Sequence, residues 1–193
     1  IFSAVQLSFN QRLEEVCKGK NNYLCIGLDI DPDQFPSGRD TSINGMEAFG
    51  KELIDGTIDF SPVYKPNFAF FERFGSKGYA ILEKLVDHIN GRAIVIADAK
   101  RGDIGSTSES YANAVFKEWG FDAVTVNPYM GRDSIQPFVQ YEDRGVFVLC
   151  RTSNLDADQF QGLILKDDSY LYEHIAQTVV NWGGNIGLMI LII

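Results

Sequence analysis

Short apolar runs alternate along the chain with longer segments in which apolar residues return every three or four positions. The runs fall at 23–28, 62–64, 94–97, 123–126, 146–150 and 186–193, and the periodic segments at 46–58, 78–89, 106–119, 133–141 and 168–182. Runs rich in β-branched residues, such as Ile94, Val95 and Ile96, read as strands buried on both faces, and the longer segments as helices laid against them. This alternation predicts an α/β protein with a parallel sheet. No low-complexity linker and no shift of composition divides the chain, so residues 1–193 read as a single domain.

Polar residues gather where these strands end. Asp29, Asp31 and Asp33 follow the first, Lys65 and Asn67 the second, and the segment 98–103 the third. Asn127 follows the fourth, and Arg151, Ser153 and Asn154 the fifth. In a (β/α)8 TIM barrel all such ends open on one face, which is where these barrels carry their chemistry. The competing open, doubly wound sheet favours a glycine-rich phosphate loop after the first strand, and Gly27-Leu-Asp-Ile-Asp-Pro-Asp33 is not one. A complete barrel takes about 250 residues and eight strands. The expectation is therefore an incomplete barrel of about six βα units, its sixth strand broken off part-way. The terminal run 186–193 is too short to span a membrane, and the apolar residues 1–5 lack the basic region and length of a signal peptide.

The densest chemistry is Asp98-x-Lys100-x-x-Asp103. With a side-chain period of two, Asp98 and Lys100 project to one face of the strand while Ala99 points the other way. Asp103 falls in the following loop, and Ser106 or Thr107 is expected to cap the next helix, with Glu109 completing a capping box. The plain alternative is a solvated ion pair at a strand end.

The 193 residues, 45% hydrophobic and 22% charged, suffice to bury a real core. A formal charge of −9 speaks against a nucleic-acid or anionic-membrane binder and leaves room for a local cationic site. Cys17, Cys25 and Cys150 are odd in number and lack paired spacing, which suggests buried reduced thiols in a cytoplasmic protein. His88 and His174 are isolated and offer no metal-ligand cluster.

Five segments together carry a resemblance: Cys25-Ile-Gly-Leu-Asp29, Lys65-Pro-Asn67, Asp98-Ala-Lys-Arg-Gly-Asp-Ile-Gly-Ser-Thr107, Thr125-Val-Asn-Pro-Tyr-Met-Gly131 and Arg151-Thr-Ser-Asn154. In this order they resemble the orotidine 5′-phosphate decarboxylase family, in the branch found in certain bacteria and some eukaryotic parasites. The resemblance implies cofactor-free decarboxylation of orotidine 5′-phosphate to uridine 5′-phosphate in pyrimidine synthesis. It implies a charged catalytic network of Lys65, Asp98, Lys100 and Asp103, the last reaching across a homodimer interface into the partner's site. Asp29 and Thr107 would hold ribose hydroxyls, Ile104 would pack on the pyrimidine, Ser153 would bond the base, and Asn67 would support the site. The chemistry agrees with those residue types. Decarboxylation leaves negative charge on a ring carbon, so a fixed cation and then a proton are needed, and Lys100 can supply both.

Structural readings stand beside these roles. The lesser alternative for Lys65 is a barrel-mouth ion-pair partner of Asp98 and for Asp29 a turn former or cap, while Asn127 and Pro128 can simply end a strand. Asp31, Asp33, Arg101 and Arg132 read as solvated, and Gly131 as a positive-φ turn. The family's phosphate grip follows its last two strands, and no such segment follows Trp182. This chain by itself is accordingly expected to be weakly active or inactive, because remote binding energy is what such a site spends on catalysis. Two alternatives to the decarboxylase remain: a magnesium-dependent decarboxylase of keto-acid sugar phosphates, and an inactive fragment that keeps only a dimer surface.

Overall fold

The computed structural model describes residues 7–190. The apolar opening at 1–5 and the last three positions of the expected sixth strand, 191–193, lie outside the described residues. Six strands form one parallel sheet in the order of the chain: β1 Cys25–Gly27, β2 Val63–Lys65, β3 Ile94–Arg101, β4 Ala123–Val126, β5 Gly145–Arg151 and β6 Ile186–Ile190. Helices α2 Ile43–Thr57, α3 Ala69–Glu72, α4 Gly75–Ile89, α5 Gly105–Asn113, α6 Arg132–Val139 and α7 Leu171–Val179 cross over between them. The result is an open TIM barrel of six strands, with β1 and β6 at its free edges among the described residues.

Side-chain alternation splits the core in two. Leu28, Tyr64, Val95, Ala97, Val124, Val126, Val146 and Val148 point outward, where they bury against Met46, Ile54, Phe71, Leu82, Leu85 and Phe138 of the helices. The inward positions Val63, Ile94, Ile96 and Ala123 form a second, smaller cluster with Phe9, Leu13, Val16 and Phe147. This inner cluster is apolar at the N-terminal ends of the strands. Two residues further along, the same inward rows carry Lys65, Asp98 and Thr125. A greasy floor thus lies directly below the polar strand ends.

The floor is closed by a helix absent from the sequence-based expectations, α1 Phe9–Lys20. Phe9, Leu13, Val16 and Cys17 form a narrow helical stripe in an otherwise polar segment, and Ser8 and Gln11 form a reciprocal capping box at its start. Phe9 sets its ring edge-on to Phe147, with centroids 6.1 Å apart. Arg12 pairs with the buried Asp122, whose other oxygen accepts the Val95 N–H at 2.9 Å. Asn185 ties the entry to β6 by donating its side-chain amide to the carbonyls of Val139, Tyr141 and Arg144 at 3.2, 3.0 and 2.8 Å.

Two expectations fail. Cys25, read as a buried thiol, is exposed, because it faces inward on edge strand β1, where no further strand among the described residues covers it; Cys17 and Cys150 are buried. The capping box at Ser106 is absent as well. Gly105, at φ 54°, opens α5 one residue earlier after Ile104, so Ser106 and Thr107 lie inside the first turn and no side chain caps it. Gly131 does adopt a positive φ, 89°, between a 3-10 turn at Pro128–Met130 and α6.

Gly145 sits where Phe9 enters: a Cβ there would lie 2.4 Å from two ring carbons of Phe9. Gly145→Ala is expected to destabilise the protein by about 1–3 kcal/mol through overpacking. The cost should shrink in a Phe9→Leu background, as read from urea midpoints of the four variants.

Candidate active site

The parallel register carries charged side chains from three neighbouring strands to one spot. Gly27 pairs with Lys65, and the isolated bridge between Asn67 and Asp98 extends the β2–β3 alignment past the last strand residues. Lys65 Nζ lies 2.6 Å from Asp98 Oδ2, and Lys100 Nζ lies 2.6 Å from Asp98 Oδ1. One carboxylate therefore bridges two ammonium groups. Its side chain is 5% exposed, against 24% for Lys65 and 40% for Lys100. The anion is buried while both cations reach the open face.

The strand departs from regular geometry just here. Between Ala97 and Arg101, four residue steps on β3 run beside two on β4, from Val124 to Val126. Lys100 inside this bulge has φ 47°, a left-handed conformation uncommon for a long side chain. Thr125 of β4, fully buried, accepts the Lys100 N–H at 2.9 Å and places its hydroxyl 3.0 Å from Asp98 Oδ1. The sequence reading assigned Thr125 no role. Its signal was a lone hydroxyl in an otherwise apolar strand, Ala-Val-Thr-Val.

Burial pushes the Asp98 carboxyl up, but hydrogen bonds and charge from Lys100 and Lys65 more than reverse this and hold it below the usual aspartate range. Asp29, at the mouth of β1, goes the other way. Crowding raises it, with Asp98 adding to the rise, while Lys65, Lys100 and a backbone hydrogen bond from Asn67 oppose it. Asp29 is thus electrostatically part of the cluster rather than only a turn former. Asp31 and Asp33 are not, being paired with Arg73 at 3.0 and 2.7 Å.

The remaining candidates are placed as follows. The Asn67 side chain accepts the Ala69 N–H at the start of α3, so its link to the cluster runs through its backbone. Asp103 accepts its neighbour Ile104's N–H at 2.8 Å and makes no ion pair with Lys100 within the described residues. Ile104 is 58% exposed and Thr107 is exposed, both at the N-terminal end of α5. Ser153 is half-buried, in a segment held by Gln161, which bonds the Thr152 N–H and hydroxyl at 2.8 and 2.7 Å. Asn127 caps the 3-10 turn that follows β4. Arg101, read as solvated, is instead sandwiched between Phe68 and Tyr111 and paired with Glu72, because the bulge turns it back among the helices.

The arrangement is two cations fixed by one desolvated anion above an apolar floor, open on one side. It can stabilise negative charge that develops on a bound molecule, and either ammonium can deliver a proton to it. Among the described residues, no group of His, Cys, Asp or Glu side chains is assembled as a metal site.

Comparison with known proteins bears on the family and the fold. The model of the orotidine 5′-phosphate decarboxylase / HUMPS family matches residues 22–189. Curated orotidine 5′-phosphate decarboxylases of Dehalococcoides mccartyi and Thermomicrobium roseum are each 43% identical, over 189 and 188 residues. Each match covers 95% of this chain and 68% or 67% of the relative, so the chain spans about two thirds of their length. The solved OMP decarboxylase of Leishmania donovani superposes with a TM-score of 0.84 at 40% identity, covering 95% of this chain and 70% of that one. The UMP synthase of the same organism gives 0.84 at 40%, covering 94% of this chain and 39% of that one.

Because the folded state lowers the Asp98 carboxyl, its stabilisation is complete above about pH 4, the ordinary aspartate value, and is lost as pH falls through the folded value. The urea midpoint of the wild type should fall more steeply below about pH 4 than that of Asp98→Asn. Parallel curves would show that Asp98 gains nothing from its two lysines.

Proposed function

Because the chain belongs to the orotidine 5′-phosphate decarboxylase / HUMPS family, we propose that its strand-end cluster is the catalytic centre for decarboxylating orotidine 5′-phosphate. The product is uridine 5′-phosphate, and the reaction belongs to pyrimidine biosynthesis. The named relatives at 43% identity favour this carboxy-lyase over the sugar-phosphate decarboxylase. The observation that carries the reading is the double pairing of Asp98 with Lys65 and Lys100 at 2.6 Å.

In the proposed reaction the bond from the pyrimidine ring to the carboxylate breaks, carbon dioxide leaves, and the electron pair stays on the ring carbon. Lys100, fixed by Asp98 and set above the apolar floor, stabilises that carbanion and then donates the proton that forms the new C–H bond. Fixed charge in a site shielded from water acts without reorganisation at the moment of reaction. Lys65 holds the second oxygen of Asp98 and, with Asp29, faces the ribose. Ser153 binds the base, and the Asn67 backbone steadies Asp29. No metal or organic cofactor enters this scheme.

Asp103, Ile104 and Thr107 serve the neighbouring subunit of a homodimer. What supports this is the exposure of Ile104 and Thr107 at the start of α5 and the lack of any ion pair, among the described residues, between the half-buried Asp103 and Lys100 of the same chain. A cytoplasmic location suits a biosynthetic enzyme. Among the described residues, no helix is long and apolar enough to cross a membrane.

Lys100→Ala should lower release of labelled carbon dioxide from carboxyl-labelled orotidine 5′-phosphate by about 10³-fold or more, in the presence of EDTA. Full activity in that variant would overturn the assignment, and a need for magnesium would favour the sugar-phosphate reaction. For the shared site, inactive Lys100→Ala and Asp103→Ala proteins should regain, on mixing and subunit exchange, up to about a quarter of wild-type activity. Half of the dimers would then be hybrids, each with one intact site; no recovery despite exchange would place Asp103 in its own subunit's site.

A further inference from the structure

We infer that Thr125 is a positioning residue for catalysis, its hydroxyl setting both the backbone of Lys100 and the carboxylate of Asp98. This rests on the decarboxylase reading of the same cluster.

In a regular parallel ladder, each strand N–H finds a carbonyl on its neighbour. The bulge between Ala97 and Arg101 breaks that ladder where Lys100 needs a partner. Thr125, on the stretch of β4 opposite the bulge, supplies one from its side chain, with Oγ1 accepting the Lys100 N–H at 2.9 Å. The same oxygen carries a single hydrogen, with two acceptors in reach. Asp98 Oδ1 lies at 3.0 Å and the Ala97 carbonyl at 3.5 Å. The nearer acceptor is also the charged one, which makes the stronger bond.

One atom therefore fixes two things. It holds Lys100 in the left-handed conformation, φ 47°, that directs its side chain back over Asp98. It also gives Asp98 a third donor beside the two ammonium groups, so the carboxylate cannot rotate about its terminal torsion without losing a bond. Thr125 is 0% exposed and has no route to substrate, so its action is through Lys100 and Asp98. A valine of the same shape would fill the strand equally well. The hydroxyl is what packing alone does not explain.

The test compares Thr125→Val with Thr125→Ser, measuring kcat and KM per folded protein in the carbon dioxide assay. Thr125→Val is expected to lower kcat about 10- to 100-fold with KM within about threefold, since a misplaced catalytic group costs rate rather than binding. Thr125→Ser, which keeps the hydroxyl, should return kcat to within about threefold of wild type. If Thr125→Val does not fold, Thr125→Cys, whose thiol is a poor acceptor of similar size, takes its place in the same comparison. Wild-type kcat in the valine or cysteine variant would overturn the inference, and so would a serine variant as slow as the valine one. Failure of the underlying reading looks different: carbon dioxide release by the wild type would be unchanged by Lys100→Ala.

Discussion

A single desolvated carboxylate organises this molecule's functional end. Asp98 cannot remain charged at 5% exposure without partners, because an isolated buried anion is far too costly. It draws Lys65 from the neighbouring strand and Lys100 from its own, and each oxygen is satisfied at 2.6 Å. Position and charge are thereby coupled. The lysines are fixed because the anion needs them, and a pair of fixed cations is what a developing carbanion requires.

The same constraint explains the irregular backbone around it. A flat strand would send Lys100 past Asp98; the bulge and the left-handed residue bring the ammonium back onto the carboxylate. Strain of this kind persists only where the surroundings over-determine it. Here they do, through the Thr125 hydroxyl on one side and the Arg101 guanidinium, clamped between Phe68 and Tyr111, on the other.

Below the charged layer, stability comes from apolar packing in two sheets of contact, helices outside and the α1 plug inside. The plug matters to the site because it excludes water from beneath Asp98, and low local polarity strengthens every electrostatic contact above it. Edge strands β1 and β6 limit this shielding. Cys25 and Asp29 on β1 face an inner surface that no seventh or eighth strand covers in the described chain.

Much of this was legible in the residues themselves. Apolar runs separated by periodic segments located all six strands and α2, α4, α5, α6 and α7, because burial on both faces and on one stripe leave distinct patterns; the single turn of α3 is too short to show a period. The two-residue period put Asp98 and Lys100 on one face, a meeting that the fold reaches through the bulge rather than through regular alternation, and the motif order named the family. The amino-acid string was silent where contacts between distant segments decide. Helix α1 carries a short stripe of Phe9, Leu13, Val16 and Cys17, but its place inside the barrel is set by the Phe9 contact with Phe147, far along the chain. Arg101 lost its solvated reading because tertiary packing brought two rings and Glu72 around it. Thr125 carried a hydroxyl whose use depends on a bulge in the neighbouring strand, and Cys25 lost its burial to an open edge. Sequence determined which residues face the same way; the fold decided which of them meet, because burial and hydrogen-bond partners are properties of neighbours that the chain order does not contain.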